Sequence, residues 1–198
     1  MNSINLLSRK ELGNLFPIIL VEHNENWKDL FIQEATKIFD ALGTSVFRLH
    51  HIGSTSVPGL ISKPTIDILV EVSRNINVDR LIEAMGQIGY EHNQKRDLET
   101  KSMMFMKGYT INGFEGQTYH VHVRYPGDWD ELYFCDYLSE HPEACRDYEK
   151  IKHDLKQKYE FDREAYTEGK TKFIQSIVNL AREKYYPRYE IFKKPLSR

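Results

Sequence analysis

The chain contains one nearly continuous apolar run, TIDILVEV at 65–72. A strand of this composition is buried on both faces, so packed layers must lie on both sides of its sheet. The stretch SVFRLHHI at 45–52 is rich in β-branched and aromatic residues and predicts a preceding strand. Two further strands, joined by a hairpin, are predicted at SMMFMKGY (102–109) and TYHVHVRY (118–125).

Helical patterns fill most of the remaining chain. Apolar residues recur at helical spacing over 24–42 and 78–88, and Gly43 is a suitable stop for the first of these helices. After Pro126 three helical segments follow one another, at 129–141, 142–159 and 163–186, and the last is expected to fray around Gly169. This order predicts an α/β (α+β) fold, with a mixed sheet flanked by helices and a helical C-terminal portion.

Composition excludes several classes of protein. The sequence has 198 residues and a formal charge of −2, from 27 basic and 29 acidic side chains, so affinity for nucleic acid or membrane through a basic surface is not expected. No repeat or low-complexity linker divides it, and one domain over 1–198 is predicted. Cys135 and Cys145 form no CxxC pair, which favours a reducing, cytoplasmic setting. Lys10 and Glu11 interrupt the N-terminal apolar residues, so no signal peptide or membrane span is expected.

A turn rich in glycine and hydroxyl groups follows the first predicted strand, with the residues Gly53, Ser54, Thr55 and Ser56. Backbone N–H groups in such a turn can cradle phosphate oxygens. No acidic residue occurs over 46–66, whereas Arg48 and Lys63 are present. The local charge therefore suits an anion, although an ordinary connection between strands remains the alternative.

Asp67 is a carboxylate within the apolar strand. A charge in this setting is costly unless it has a partner. A divalent ion bound to a nucleoside triphosphate is one such partner, since Mg²⁺ uses one or two carboxylates together with substrate phosphates. The alternative is an ion pair with Lys63 or Arg48.

His120 and His122 alternate on a predicted strand, so their imidazoles point to the same side. With Asp67 they could form a two-histidine, one-carboxylate site for Zn²⁺, Mn²⁺ or Fe²⁺. Hydrogen-bonded histidines on a half-exposed face are one alternative, and a role as general base or phosphate contact is another. Lys107 lies on the strand predicted at 102–109, and Arg124 lies on the strand of the two histidines. Both are predicted to border the cleft that contains Asp67 and the histidines.

Five segments resemble the GrpB family, within the DNA polymerase β-like nucleotidyltransferase superfamily. They are VEHNENW (21–27), HIGSTSVPGL (51–60), KPTIDILVEV (63–72), HVHV (120–123) and FCDYLSEHPEACRDYEKIK (134–152). The resemblance covers about 18–180 and implies a nucleotidyltransferase-like fold.

The resemblance also implies an activity. A nucleoside triphosphate would donate a nucleotidyl group to an unidentified acceptor, with a divalent metal, Mg²⁺ or Mn²⁺ before Zn²⁺, as cofactor. Asp67 and Lys63 would be catalytic, and His120 and His122 would join Asp67 as metal ligands. The phosphate-binding residues would be Gly53, Ser54, Thr55, Ser56, Lys63 and Arg124.

This sequence departs from the superfamily pattern at one position. The second carboxylate, expected two residues after Asp67, is replaced by Leu69. Glu71 shares that strand face but lies roughly 13 Å from Asp67, too far to share an ion. A non-catalytic nucleotide- or phosphate-binding module is therefore an alternative function, and a metal-dependent hydrolase or phosphotransferase built on the histidine pair is a third. The oligomeric state is left open.

Overall fold

The computed structural model describes residue 4 and residues 7–93 and 103–190. Within them the chain forms five strands: β1 (Val46–Ile52), β2 (Thr65–Val72), β3 (Glu91–His92), β4 (Met103–Thr110) and β5 (Gly113–Arg124). The described helices are α1 (Arg9–Leu15), α2 (Asn26–Leu42), α3 (Val78–Gln87), α4 (Asp130–Glu140), α5 (Pro142–Tyr159), α6 (Arg163–Gly169) and α7 (Thr171–Tyr185).

The strands form one mixed sheet in the order β1-β2-β5-β4-β3. β2 runs parallel to β5, and every other neighbouring pair is antiparallel. In this register Asp67 lies beside Ile52 of β1 and beside His120 of β5. The end of β1 and the middle of β5 therefore flank the carboxylate.

The two faces of β2 contact different helices. Ile66, Ile68 and Val70 pack into the main core with residues of α2 and α3. On the opposite face Leu69 packs with Leu132 of α4, and α4 packs closely against α7. The predicted α/β fold, with a mixed sheet flanked by helices and a helical C-terminal portion, is confirmed.

Two predicted boundaries need comment. The segment 163–186 forms two helices that meet where fraying was predicted around Gly169, because the Lys170 amide donates to the carbonyls of Thr167 and Glu168 in a tight turn. β5 begins at Gly113 instead of 118, since the hairpin turn takes only two residues and Thr110 pairs with Gly113.

Helix α1 was not predicted, although its start carries a recognisable signal. The Ser8 side chain accepts from the Glu11 amide while the Glu11 carboxylate accepts from the Ser8 amide, which is a capping box. Among the helices of the described residues, none has the length and apolar character needed to cross a bilayer.

Candidate functional site

The turn after β1 is held by its own hydroxyl groups. The Ser56 hydroxyl donates to the Gly53 carbonyl at 2.8 Å, and the Thr55 hydroxyl donates to the Thr65 carbonyl at 3.3 Å. Thr55 also bonds to His51. These two side chains fix the turn, whereas Gly53 and Ser54 face a cleft.

Asp67 occupies the space beside Gly53. A β-carbon built on Gly53 would lie 2.5 Å from Asp67 Oδ2, and Gly53 has a φ of +73°, a conformation that favours glycine. The glycine therefore lets the end of β1 approach the carboxylate closely.

Asp67 is held by the two predicted histidines. Its Oδ1 lies 3.2 Å from His120 Nδ1 and 3.6 Å from His122 Nε2. Burial opposes ionisation of this carboxyl, but the two imidazoles outweigh it and hold the pKa of Asp67 well below its usual range. Burial lowers the pKa of His120, whose Nε2 is 2.8 Å from the Tyr109 hydroxyl. His120 is thus fixed between two polar partners.

This donor set does not fit the metal that the resemblance implies. Within the described ranges, no group of three or more His, Cys, Asp or Glu side chains is arranged to hold an ion. Both imidazoles are directed at one oxygen of Asp67. The position expected to carry a second carboxylate is Leu69, which is fully buried against apolar neighbours. Because Mg²⁺ requires near-octahedral oxygen ligation, we derive no chemical step through a metal.

A cleft of about 500 Å³ opens between this part of the sheet and helices α4 to α7. Its sheet side carries Gly53, Ser54, Asp67 and the two histidines. Its helical side carries apolar and aromatic residues together with several cations. The aromatic and aliphatic lining residues of the helices are Phe134, Tyr148, Tyr166, Ile174 and Val178.

Four basic residues, which we call the cation cluster, line this cleft: Lys63, Lys152, Arg163 and Lys170. In the described parts of the chain, no carboxylate lies within ion-pairing distance of any of them. The ammonium groups of Lys63 and Lys170 lie 5.7 and 4.8 Å from the centre of the Tyr166 ring. The cleft thus holds unneutralised positive charge.

The lowered pKa values of the three lysines show that it is unfavourable to keep the cation cluster charged. Burial, together with the nearby charges of Lys170 and Arg163, lowers the pKa of Lys63 to about 7. Burial and Lys170 lower the pKa of Lys152 to about 7, and burial lowers that of Lys170 to about 8. Buried like charges are unfavourable unless an anion joins them, so the cluster suits an anionic ligand.

The sequence-predicted residues divide into two groups. Gly53, Ser54, Lys63, Asp67, His120 and His122 all line the cleft. The hydroxyls of Thr55 and Ser56 are instead used within the turn. Arg124 lies outside the cleft lining, because it forms two hydrogen bonds with Glu131 at 2.9 and 2.5 Å and stacks over Trp129.

The prediction that Lys107 borders the cleft was wrong. Lys107 bonds to the buried Glu34 of α2 at 2.6 Å, on the opposite face of the sheet. Conversely, sequence reasoning missed Lys152, Arg163 and Lys170, which lie on α5, on α6 and at the start of α7. Their patterns are those of solvent-exposed basic residues, and no local signal distinguishes them.

Comparisons with known proteins cover most of the chain. The family model described as GrpB protein matches residues 17–180, a range that includes every residue lining the cleft. The glutamate-rich protein GrpB of Alkalihalophilus pseudofirmus is 35% identical over 166 residues, 82% of this chain and 94% of that protein.

Two further comparisons agree. A UPF0157 protein of Pseudomonas aeruginosa is 38% identical over 156 residues, which cover 78% of this chain and 64% of that protein; the chain thus spans slightly less than two thirds of that relative. The crystal structure of the conserved protein GrpB from Enterococcus faecalis has a TM-score of 0.75 and 32% identity, covering 85% of this chain and 99% of that chain.

Proposed function

Since this chain belongs to the GrpB protein family, we propose that its cleft binds a nucleoside triphosphate, with the phosphates between the turn at Gly53 and the cation cluster. One observation carries this proposal. The turn and four basic side chains, which have no acidic partner among the described residues, face the same cleft, whose sheet wall holds Asp67. Backbone N–H groups and cations together form the usual protein environment of bound phosphate.

Charge supports the same ligand. At pH 7 Lys63 and Lys152 are about half protonated and Lys170 is mostly protonated. Together with Arg163 they still exceed the single charge of Asp67, while the other acidic lining residues, Asp130 and Glu131, are paired with Arg182 and Arg124. Each terminal phosphate carries about −1.5 to −2 charges at pH 7. A chain of phosphates would therefore neutralise the cluster, which a neutral ligand would not do.

Size and lining support a nucleotide over phosphate alone. Ligand sites commonly have volumes of about 300 to 1,000 Å³ and mix apolar walls with a few polar groups. This cleft has about 500 Å³ and includes the aromatic rings of Phe134, Tyr148 and Tyr166. Apolar lining of this kind suits a nucleoside, although Lys63 and Lys170 already lie over the Tyr166 ring and Phe173 stacks on the Tyr148 ring.

Nucleotidyl transfer is the second candidate. The close approach of Gly53 to Asp67 Oδ2 favours it, because the resemblance implies that the first binds phosphate and the second is catalytic. One other observation favours binding alone, because Leu69 replaces the second carboxylate. We therefore propose binding as the function and treat transfer to an unidentified acceptor as its alternative.

Calorimetric titration of the purified protein with ATP, GTP, CTP and UTP tests the proposal. We expect saturable binding of at least one nucleotide, weakened about tenfold or more by Lys170→Ala. Lys150→Ala is the matched control, since Lys150 is an exposed lysine of α5 paired with Asp147, and it should bind as the wild type does. Failure of all four nucleotides to bind would overturn the proposal.

Two measurements separate the candidates. Asp67→Asn should retain nucleotide binding if the cation cluster supplies the affinity, whereas loss of binding with an unchanged melting temperature would favour metal-dependent transfer. Release of pyrophosphate from the bound nucleotide, assayed with Mg²⁺, Mn²⁺ and Zn²⁺ in turn, would establish transfer chemistry. Binding without pyrophosphate release supports the binding function.

A further inference from the structure

One cleft residue that the sequence did not single out has an unsatisfied polar group. Ser62 is 1% exposed and lines the cleft, and its hydroxyl has no hydrogen-bond partner among the described residues. Its main chain is fully engaged, because Ser62 N donates to the Val21 carbonyl at 3.0 Å and Val21 N donates to the Ser62 carbonyl at 2.9 Å. A buried hydroxyl without a partner is unfavourable, so a ligand that reaches this one would satisfy it.

The backbone around Ser62 is anchored to helix α5. The Ile61 amide donates to Glu149 Oε1 at 2.9 Å, and the Lys152 ammonium donates to the Ile61 carbonyl. The next residue after Ser62 is Lys63, a member of the cation cluster. Ser62, Lys63 and Lys152 are thus held together on one wall of the cleft.

The opposite end of the cluster is anchored as well. The Arg163 guanidinium donates to the Phe16 carbonyl at 3.0 Å, and it lies 5.6 Å from the Tyr109 ring. Lys170 and Lys63 both lie over the Tyr166 ring. The positive charges are therefore positioned before any ligand enters, which reduces the entropic cost of binding.

These cations supply the charge that a divalent ion supplies to a bound triphosphate in other sites. A metal ion entering beside Lys63 and Lys170 would be repelled by both, and the Asp67 oxygen that could attract it already bonds to His120 and lies 3.6 Å from His122. The free anion of a phosphate chain has no such conflict. It offers more negative charge to the cluster than its magnesium complex does.

We propose that the cleft binds a chain of condensed phosphates as the free anion, without a divalent metal, and that the Ser62 hydroxyl donates to one of its oxygens within the cation cluster. This inference rests on the proposed function, and it specifies the form of the ligand. Inorganic triphosphate and the tail of a nucleoside triphosphate share this chemistry. The nucleoside would add contacts with the aromatic wall.

Titration of the full chain with inorganic triphosphate and with ATP, each in EDTA and in excess Mg²⁺, tests this inference. We expect binding in EDTA to be as tight as in Mg²⁺ or up to about tenfold tighter. Tighter binding of ATP than of triphosphate would assign the ligand as a nucleotide, and the reverse order would assign it as inorganic. Binding that requires Mg²⁺ and disappears in EDTA would overturn the metal-free inference while leaving nucleotide binding intact, whereas absence of binding in both conditions would overturn the proposed function itself.

Ser62→Ala tests the role of the hydroxyl. It should weaken triphosphate binding in EDTA about tenfold, because a hydrogen bond to a charged group is lost, and it should not lower the melting temperature of the free protein. Ser176→Ala, an exposed serine of α7 that bonds to the Phe173 carbonyl, is the control and should bind normally. Equal affinity of Ser62→Ala and wild type would remove Ser62 from the site, and Lys170→Gln then tests the cluster independently, with unchanged affinity overturning the inference.

Discussion

Gly53 and Asp67 lie so close that a β-carbon at position 53 would come within 2.5 Å of Asp67 Oδ2. The contact joins the end of β1 to the middle of β2, and it sets the distance between the turn and the carboxylate. Because Asp67 is also held by His120 and His122, it has little freedom to move away.

Gly53→Ala should therefore both destabilise the protein and impair the cleft. We expect the free energy of unfolding to fall by about 2–3 kcal/mol, from the positive φ and the collision with Asp67. Gly59→Ala is the matched control, since Gly59 has a φ of +75° and its built β-carbon meets no other described residue within 4 Å beyond its chain neighbours, and it should cost about 1 kcal/mol. Urea denaturation measures the free energy of unfolding of both variants. Equal losses of stability would show that the contact with Asp67 is unimportant.

Binding of triphosphate should weaken as the pH rises above 7. Lys63 and Lys152, each with a pKa of about 7, pass from half to about a tenth protonated between pH 7 and 8, which costs roughly fivefold in affinity for each lysine that must be charged. The charges of Lys170 and Arg163 lower the pKa of Lys63 further, whereas the charge of Asp67 raises it. Calorimetry in buffers of different ionisation enthalpy should detect proton uptake on binding.

The substitution Lys63→Arg provides the control for this pH dependence. Arginine stays charged throughout the range, so the variant should bind with a shallower pH profile than the wild type. Protonation of the triphosphate itself affects the wild type and the variant equally, so its effect cancels when the two pH profiles are compared. Identical profiles would exclude titration of Lys63 as a cause.

The free protein should become more stable when Lys63 is replaced by Met. The folded-state pKa of Lys63 is lowered to about 7, whereas the unfolded value is near 10.4, so the unfolded chain binds more protons between these values and stability rises with pH. The penalty from Lys63 is thus fully present below pH 7 and relieved towards pH 10. Lys63→Met should raise the free energy of unfolding at pH 6.5 and change it less at pH 9.5, as measured by urea denaturation; a uniform loss at both would contradict this.

A buried ion pair on the same sheet is expected to be structural. Glu71 is fully buried and binds Arg48, the Gly127 amide at 2.8 Å and Trp129 Nε1 at 2.9 Å. Arg48→Met should lower the free energy of unfolding by about 3 kcal/mol, because it leaves a buried carboxylate without its cation. The exposed pair of Lys150 and Asp147 provides the comparison, and Lys150→Met should cost less than about 1 kcal/mol.

Triphosphate affinity of the Arg48→Met variant separates structure from binding. It should remain within about twofold of wild type under conditions where the variant is folded, since neither Arg48 nor Glu71 lines the cleft. A large loss of affinity would show that this ion pair shapes the site.

The sheet side of the site was predictable from local pattern. Two-residue alternation places His120 and His122 on one face, and the apolar run around Asp67 predicts a central strand next to another strand. The parallel register of β2 and β5 then brings Asp67 beside His120, as predicted. The family resemblance drawn from the motifs is confirmed by the match over 17–180.

The helical side was not predictable in the same way. Lys152, Arg163 and Lys170 come from α5, α6 and the start of α7, and their convergence depends on how these helices dock, which no spacing within one helix specifies. Arg124 is a residue that the strand pattern places at the site but that a neighbouring helix binds elsewhere. Its strand position shares a face with His122, but Glu131 at the start of α4 binds its guanidinium instead.

The cleft is assembled from two stretches of chain that meet only in the tertiary structure. The turn, the carboxylate and the imidazoles come from the first two thirds of the sequence, whereas three of its four cations come from α5, α6 and the residue that precedes α7. An anion bound between them would link the helices to the strands by electrostatic attraction across the cleft. By mass action such a ligand should protect the C-terminal helices from proteolysis and hydrogen exchange more than it protects the far edge of the sheet.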